Sequence, residues 1–149
     1  MAENGLRATV QDIRPITEYV VLEWDRYVVG TQSFRQDISR AKLPFKTASV
    51  KQVDCHMLLH KIPSYIALMN EINRCLVHGG VLNISVPAHP HPICWDDPMT
   101  VRAFSKNTFT YFDDRDSGYR DLGKKYGISP FSMVAISGDS SLIRVRMIK

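Results

Sequence analysis

Four of the five histidines fall into two close pairs. His56 and His60 lie four residues apart, where the spacing predicts the start of a helix, so they would share one face. His89 and His91 sit in a proline-rich run with Cys94 three residues beyond. Imidazoles and a thiolate are suitable ligands for zinc or another transition metal, which makes His56, His60, His89 and His91 a candidate metal set. Proline-flanked histidines are also ordinary loop residues, and a histidine at a pocket mouth often only hydrogen-bonds. That plainer reading is preferred, and no metal is favoured. A second polar group, Asp96, Asp97, Thr100 and Arg102, occupies the same long loop; its plainer use is a turn at Asp97-Pro98 and a carboxylate partner for Arg102. Trp24 and Trp95 are flat enough to stack on a ligand, although packing in a core or under a lid accounts for each. Cys55 and Cys75 fall in apolar elements and read as inert, which leaves Cys94 as the candidate reactive thiol.

These residues need elements to position them, and the stretch from Val53 to Pro87 supplies the frame. It reads as a buried strand at about Val50 to Cys55, then a helix with an apolar stripe through Ile66, Met69, Ile72 and Leu76. Gly79-Gly80 are expected to end that helix. Val81 to Val86 follow as a strand of branched residues closed by Pro87. Strand, helix and parallel strand make a βαβ unit. Before it, Leu6 to Val10 reads as a short first strand, Tyr19 to Trp24 as a second and Ser33 to Gln36 as a weaker third. Leu43-Pro44-Phe45 is an apolar anchor. After it, three prolines between Ala88 and Pro98 exclude regular structure. Ser105 is a good N-cap for a short helix through Phe112, and a turn of helix from Tyr119 should stop at Gly127. Phe131 to Ile136 and Leu142 to Ile148 flank Gly138-Asp139-Ser140 as a hairpin.

The fold expected is α/β: a doubly wound, Rossmann-like, mostly parallel sheet with an antiparallel C-terminal hairpin. Five or more parallel strands are expected in the order 3-2-1-4-5. The whole chain, residues 1–149, reads as one domain. In such sheets ligands sit beyond the carboxyl ends of the strands.

Composition narrows the partners. The hydrophobic fraction is 44% and the charged fraction 23%, as in an ordinary globule. The formal charge of +4 permits an anionic partner, but the basic residues after Asp113 alternate with acids, so nucleic acid is not indicated. No apolar run is long enough for a membrane span. Three cysteines without paired spacing, and no secretory h-region at the start, point to reduced thiols and a cytoplasmic setting.

The run LPFKTASVKQVDCHMLLHKIPSYIALMNEINRCLVHGGVLNISVP resembles the central part of class I S-adenosylmethionine-dependent methyltransferases. In that family a Leu-Pro-Phe segment precedes strand four, and a helix ending in Arg-hydrophobic-Leu-Lys-Pro-Gly-Gly leads into strand five. Here the helix end reads Arg74-Cys75-Leu76-Val77-His78-Gly79-Gly80. The run DPMTVRAFSKNTFTYF is similar to a segment of the small-molecule and sugar-type members. The resemblance covers roughly Tyr19 to Phe112. It implies that an acid at the end of strand two, Glu23 or Asp25, holds the ribose hydroxyls of S-adenosylmethionine, and that Asp37 lies near the adenine. His56, at the end of strand four, completes the implied cofactor set. The substrate loop it implies carries His89, His91, Trp95, Asp97 and Arg102. The departures are equally specific. The family's glycine-rich loop after strand one falls here on Gln11 to Pro15, which holds no glycine. His60-Lys61 replaces the usual Glu-His, and Val77-His78 replaces Lys-Pro. The expectation is a methyltransferase-like protein with a degraded cofactor site, working as a non-catalytic binding or assembly module. The alternative is an active methyltransferase using S-adenosylmethionine on a small or sugar-like acceptor. A small-molecule ligand or a protein partner is implied, and a homo-oligomer is left open.

Overall fold

The computed structural model describes residues 16–149. The expected strand at Leu6 to Val10 and the Gln11 to Pro15 segment lie outside the described residues. Seven strands form one sheet: β1 (Val20–Leu22), β2 (Arg26–Val29), β3 (Gln32–Arg35), β4 (Val50–His56), β5 (Leu76–Pro87), β6 (Met133–Gly138) and β7 (Leu142–Ile148). Their order is β3-β2-β1-β4-β5-β7-β6. The centre is parallel, β1 to β4 and β4 to β5. The C-terminal hairpin β6–β7 is antiparallel and joins the sheet through β7 against β5. Tyr19 to Trp24 and Val81 to Val86 thus belong to one sheet, and the α/β, Rossmann-like arrangement is present.

The first three strands differ from expectation in identity and direction. The run expected as strand two, now β1, occupies the first place beside β4. It turns directly into β2, and β2 into β3, as an antiparallel meander. Three strands are joined by parallel pairing, not five. The reason is the connection: Glu23, Trp24 and Asp25 alone separate β1 from β2, and a parallel crossover needs a dozen residues or more.

The α-helix α1 (Tyr65–Cys75) crosses between β4 and β5 and buries Leu68, Met69, Ile72 and Cys75. The helix stops at Cys75 because Leu76 is already extended, φ −70° and ψ 139°. Gly79-Gly80 do not end it, as expected from sequence, but serve a bulge in β5, where Gly79 has φ +82°. The helix end is closed instead by the Lys149 ammonium, which donates to the carbonyls of Asn73 at 2.7 Å and Leu76 at 2.8 Å. Arg74 braces the preceding loop. Its guanidinium donates to both Glu71 carboxylate oxygens at 2.8 Å and to Phe45 O at 2.9 Å, while Glu71 accepts from Leu43 N at 2.8 Å. This is what seats the Leu43-Pro44-Phe45 anchor.

Alternation along the strands separates two faces. Val53 and Cys55 of β4, Leu82, Ile84 and Val86 of β5, and Ile143, Val145 and Met147 of β7 face α1 and are buried. The long loop after β5 packs on the same side. It is tethered by bridges at Ala88–Phe104 and Asp113–Phe131 and fills the core with Phe104, Phe109, Phe112 and Phe131. Ser105 stands at the N-cap of a short 3-10 helix, Lys106–Phe112, as expected, and its backbone N–H donates to Thr108 Oγ1 at 3.2 Å. Side chains of the opposite face, from Asp54 to Arg146, are mostly polar, and Arg144 and Arg146 are exposed. Gly138 closes β6 at φ +122°, where an added Cβ would overlap the Leu142 carbonyl oxygen.

Candidate functional site

At the carboxyl ends of the parallel strands the chain gathers three segments: the β1–β2 turn, the 3-10 turn after β4 and the loop after β5. In the first, Glu23 N donates to Arg26 O at 2.9 Å and closes the turn. Arg26 donates to both oxygens of Asp25, at 3.0 and 3.1 Å, and holds that carboxyl below the usual aspartate range. Asp37 caps the 3-10 turn Ile38–Arg40, accepting from Ser39 N at 3.1 Å. Asp25 and Asp37 line one cleft of about 480 Å³ together with Trp24, Arg35, Gln36 and Ser39. The structure therefore brings these two acids together, though each is engaged by a local donor. Glu23 is exposed in the turn and does not line that cleft.

The loop after β5 meets this region through Lys61. The Lys61 ammonium lies 5.7 Å from the Trp24 ring centroid and 3.6 Å from Asp97 Oδ2. Sequence reasoning noted Lys61 only as a replacement and missed that it links the two segments. Asp97 Oδ1 also accepts from Met99 N at 2.8 Å, and this bond, with the nearby Lys61 charge, lowers its pKa. Arg102 donates to Pro63 O at 2.6 Å and stacks 4.5 Å from the Tyr65 ring centroid. It forms no ion pair among the described residues, in place of the carboxylate partner expected. His60 is buried near Lys61 and Asp97. Its carbonyl accepts from Val101 N at 2.9 Å, while His60 Nδ1, Thr100 Oγ1 and Arg102 Nε have no partner among the described residues.

The remaining loop residues stand apart. His89 is exposed, and its backbone N–H pairs with Phe104 O at 2.9 Å. His91 Nδ1 accepts from Ile93 N at 3.2 Å and so caps a short 3-10 helix, Pro92–Trp95. Trp95 is 59% exposed, which removes core packing as its role. Cys94 is buried at 2% exposure and its thiol is pushed up by burial, so it is not the reactive thiol expected. Cys55 and Cys75 are buried as expected, with pKa values pushed up to about 12 and about 11.

His56 and His60 do not share a helix face. His56 is the last residue of β4, and His60 belongs to a separate 3-10 turn, Leu59–Lys61, after Met57 breaks the strand at φ +53°. Among the described residues, no group of three or more His, Cys, Asp or Glu side chains is placed to hold a metal ion. His56 points instead to the open sheet face, where Asp54 is a hub. Asp54 Oδ1 accepts from Gln52 at 3.2 Å and Asn83 at 3.0 Å, and Oδ2 accepts from the Tyr19 hydroxyl at 2.5 Å. His56 Nε2 lies 3.4 Å from the same Oδ2, and its Nδ1 lies 3.0 Å from Ser85 Oγ. Burial alone would raise the Asp54 carboxyl; the donors from Tyr19, Asn83 and Gln52 and the neighbouring His56 outweigh it and bring it below the usual range. The signal for this cluster was the two-residue alternation of Asp54 with His56.

No family model matches the chain, and no curated protein matches it. Solved structures do. A methyltransferase dependent on S-adenosylmethionine (SAM) from Thermotoga maritima aligns at TM-score 0.54 and 14% identity, over 78% of this chain and 63% of that one. A second, from Archaeoglobus fulgidus, aligns at TM-score 0.58 and 8% identity, over 78% of this chain and 66% of that one. The fold is that of the SAM-dependent methyltransferases. A Bacillus halodurans protein assigned as a methyltransferase covers 95% of both chains at TM-score 0.52 and 16% identity. The methyltransferase-like chain described here spans about two thirds of the length of the first two. Among the described residues, no helix is long and apolar enough to cross a membrane.

Proposed function

We propose that this methyltransferase-like chain is a non-catalytic binding or assembly module whose SAM site is degraded. The observation that carries the reading is the turn after β1. In the methyltransferase-like order this strand, next to β4, precedes the glycine-rich loop whose bare backbone approaches the methionine part of the cofactor. The resemblance places that loop on Gln11 to Pro15, outside the described residues. The strand found beside β4 is β1, however, and the place after it holds Glu23, Trp24 and Asp25, with no glycine, where the chain doubles back as β2. Side chains stand where the family's loop presents bare backbone, and no helix N-terminus follows to receive a carboxylate. The residues present do not fit the methionine moiety.

The other reading, an active methyltransferase, is favoured by one observation: Asp25 and Asp37 share a cleft with Trp24. A calorimetric titration with SAM and S-adenosylhomocysteine separates the two. The expected result is no heat of binding, or a Kd weaker than about 1 mM. Stoichiometric micromolar binding that Asp37→Ala abolishes would give the lead to the enzyme.

A further inference from the structure

Across the open face of the sheet the strand registers align two adjacent polar rows. One runs His56, Ser85, Arg144, Ser137 over β4, β5, β7 and β6. The next runs Asp54, Asn83, Arg146, Ala135 over the same strands. Side chains in such rows are direct cross-strand neighbours about 5 Å apart. Arg144 and Arg146 are two residues apart on β7 and so emerge on the same side, about 7 Å from each other. They line a cleft of about 620 Å³ with Ser85, Ser137, His56 and Asp54.

The charge on this face is unbalanced. Asp54 is its one acid in the two rows, and both its oxygens are already taken by the donors from Tyr19, Gln52 and Asn83. Asn83 also stands between Asp54 and Arg146 in the row. Among the described residues neither arginine has a carboxylate within ion-pair distance. On their far side Ala135 and Ser137 are small, which leaves the guanidinium groups room to converge on a ligand above β6 and β7. On their near side the Ser85 hydroxyl is buried and oriented by His56 Nδ1 at 3.0 Å.

We propose that Arg144 and Arg146, with the Ser85 and Ser137 hydroxyls, bind the phosphate group of a small phosphorylated molecule on the open sheet face. Two guanidinium forks offer more donors than one carboxylate can accept, and a phosphate dianion matches both their charge and their number. The proposal concerns a surface away from the strand-end cleft and does not depend on whether SAM binds.

The test is a titration of isotope-labelled protein with inorganic phosphate and with phenyl phosphate, followed by amide and side-chain NMR at constant ionic strength. Saturable shifts confined to Ser85, Ser137, Arg144 and Arg146 and their neighbours are expected. Arg144→Gln and Arg146→Gln should each weaken binding about tenfold or more, since each removes charge-assisted hydrogen bonds. Arg120→Gln, elsewhere on the surface, should leave it unchanged. Both β7 side chains are exposed, so the variants should keep the parent melting temperature. Equal shifts with chloride at the same ionic strength, or unchanged affinity in the Arg144→Gln/Arg146→Gln double variant, would overturn the proposal. So would binding of an acidic peptide to this face with no response to either phosphate.

Discussion

His60 is where a single residue sets a pH dependence. Burial disfavours its imidazolium, the neighbouring Lys61 charge adds to that, and Asp97 opposes it only in part, so its pKa lies below the ordinary value. In the unfolded chain a histidine titrates near about 6.5. As pH falls through that value the unfolded chain takes up a proton that the native state resists. Stability is therefore full above about pH 6.5 and declines as pH drops from there toward the native pKa. Denaturant midpoints measured between pH 7.5 and pH 5 should fall with this slope, and His60→Gln should flatten it. A His60 imidazole seen by NMR to titrate at or above the unfolded value contradicts the account. Sequence marked His60 for its neighbours four residues away, and that spacing was the wrong signal. The informative feature is a three-dimensional one, a buried ring nitrogen with no partner among the described residues, near the charges of Lys61 and Asp97. Cys94 teaches the same lesson, since it lies in a loop and is nevertheless buried.

Among the elements, α1 owes its docking to Arg74 as well as to its apolar stripe. Removing that guanidinium strands the Glu71 carboxylate, whose pKa its hydrogen bonds hold down, and frees the carbonyls of Leu43 and Phe45. Arg74→Ala should cost about 2 kcal/mol, within the range for hydrogen bonds to charged groups. Arg74→Lys should recover little of it, because an ammonium cannot span Glu71 and two carbonyls in one plane. Urea unfolding of the two variants checks both figures, and a loss under about 0.5 kcal/mol would mean the brace is ornamental. The stripe through Ile66, Met69 and Ile72 was legible because periodicity needs only local order. The helix end was not. Gly79-Gly80 look like a stop, yet the real stop depends on Lys149, far along the chain, reaching the carbonyls of Asn73 and Leu76. The β6–β7 hairpin was readable from the turn residues around Asp139, whose carboxylate accepts from the backbone of Ser141 at 2.8 Å and Leu142 at 3.0 Å.

At the scale of the whole molecule, the α/β sheet and its antiparallel C-terminal hairpin were readable, and the identity and direction of the first strands were not. An apolar run such as Tyr19 to Trp24 tells that a strand is covered, and a buried strand looks the same whichever way its neighbours point. The available clue was arithmetic: too few residues separate Leu22 from Arg26 for anything except a reversal. The candidate site followed the same division. Asp25 and Asp37 meet because both sit at strand ends, whereas Arg144 and Arg146 went unremarked because their significance lies in cross-strand partners that are far away in sequence. The sheet that results has a consequence for how the chain assembles. β5 lies between β4 and β7, with β4 joined to it across one helix and β7 across the entire aromatic loop. Contacts of short sequence separation close first, because long loops cost more entropy to bring together. The β4–α1–β5 unit should therefore form early, with the β7 side of β5 still bare. Pulse-labelled hydrogen exchange during refolding should protect the amides joining β4 to β5 before those joining β5 to β7, and simultaneous protection would refute that sequence. In the interval Leu82, Ile84 and Val86 lie beside an unpaired strand edge, so a nascent chain paused there is at its most prone to aggregate.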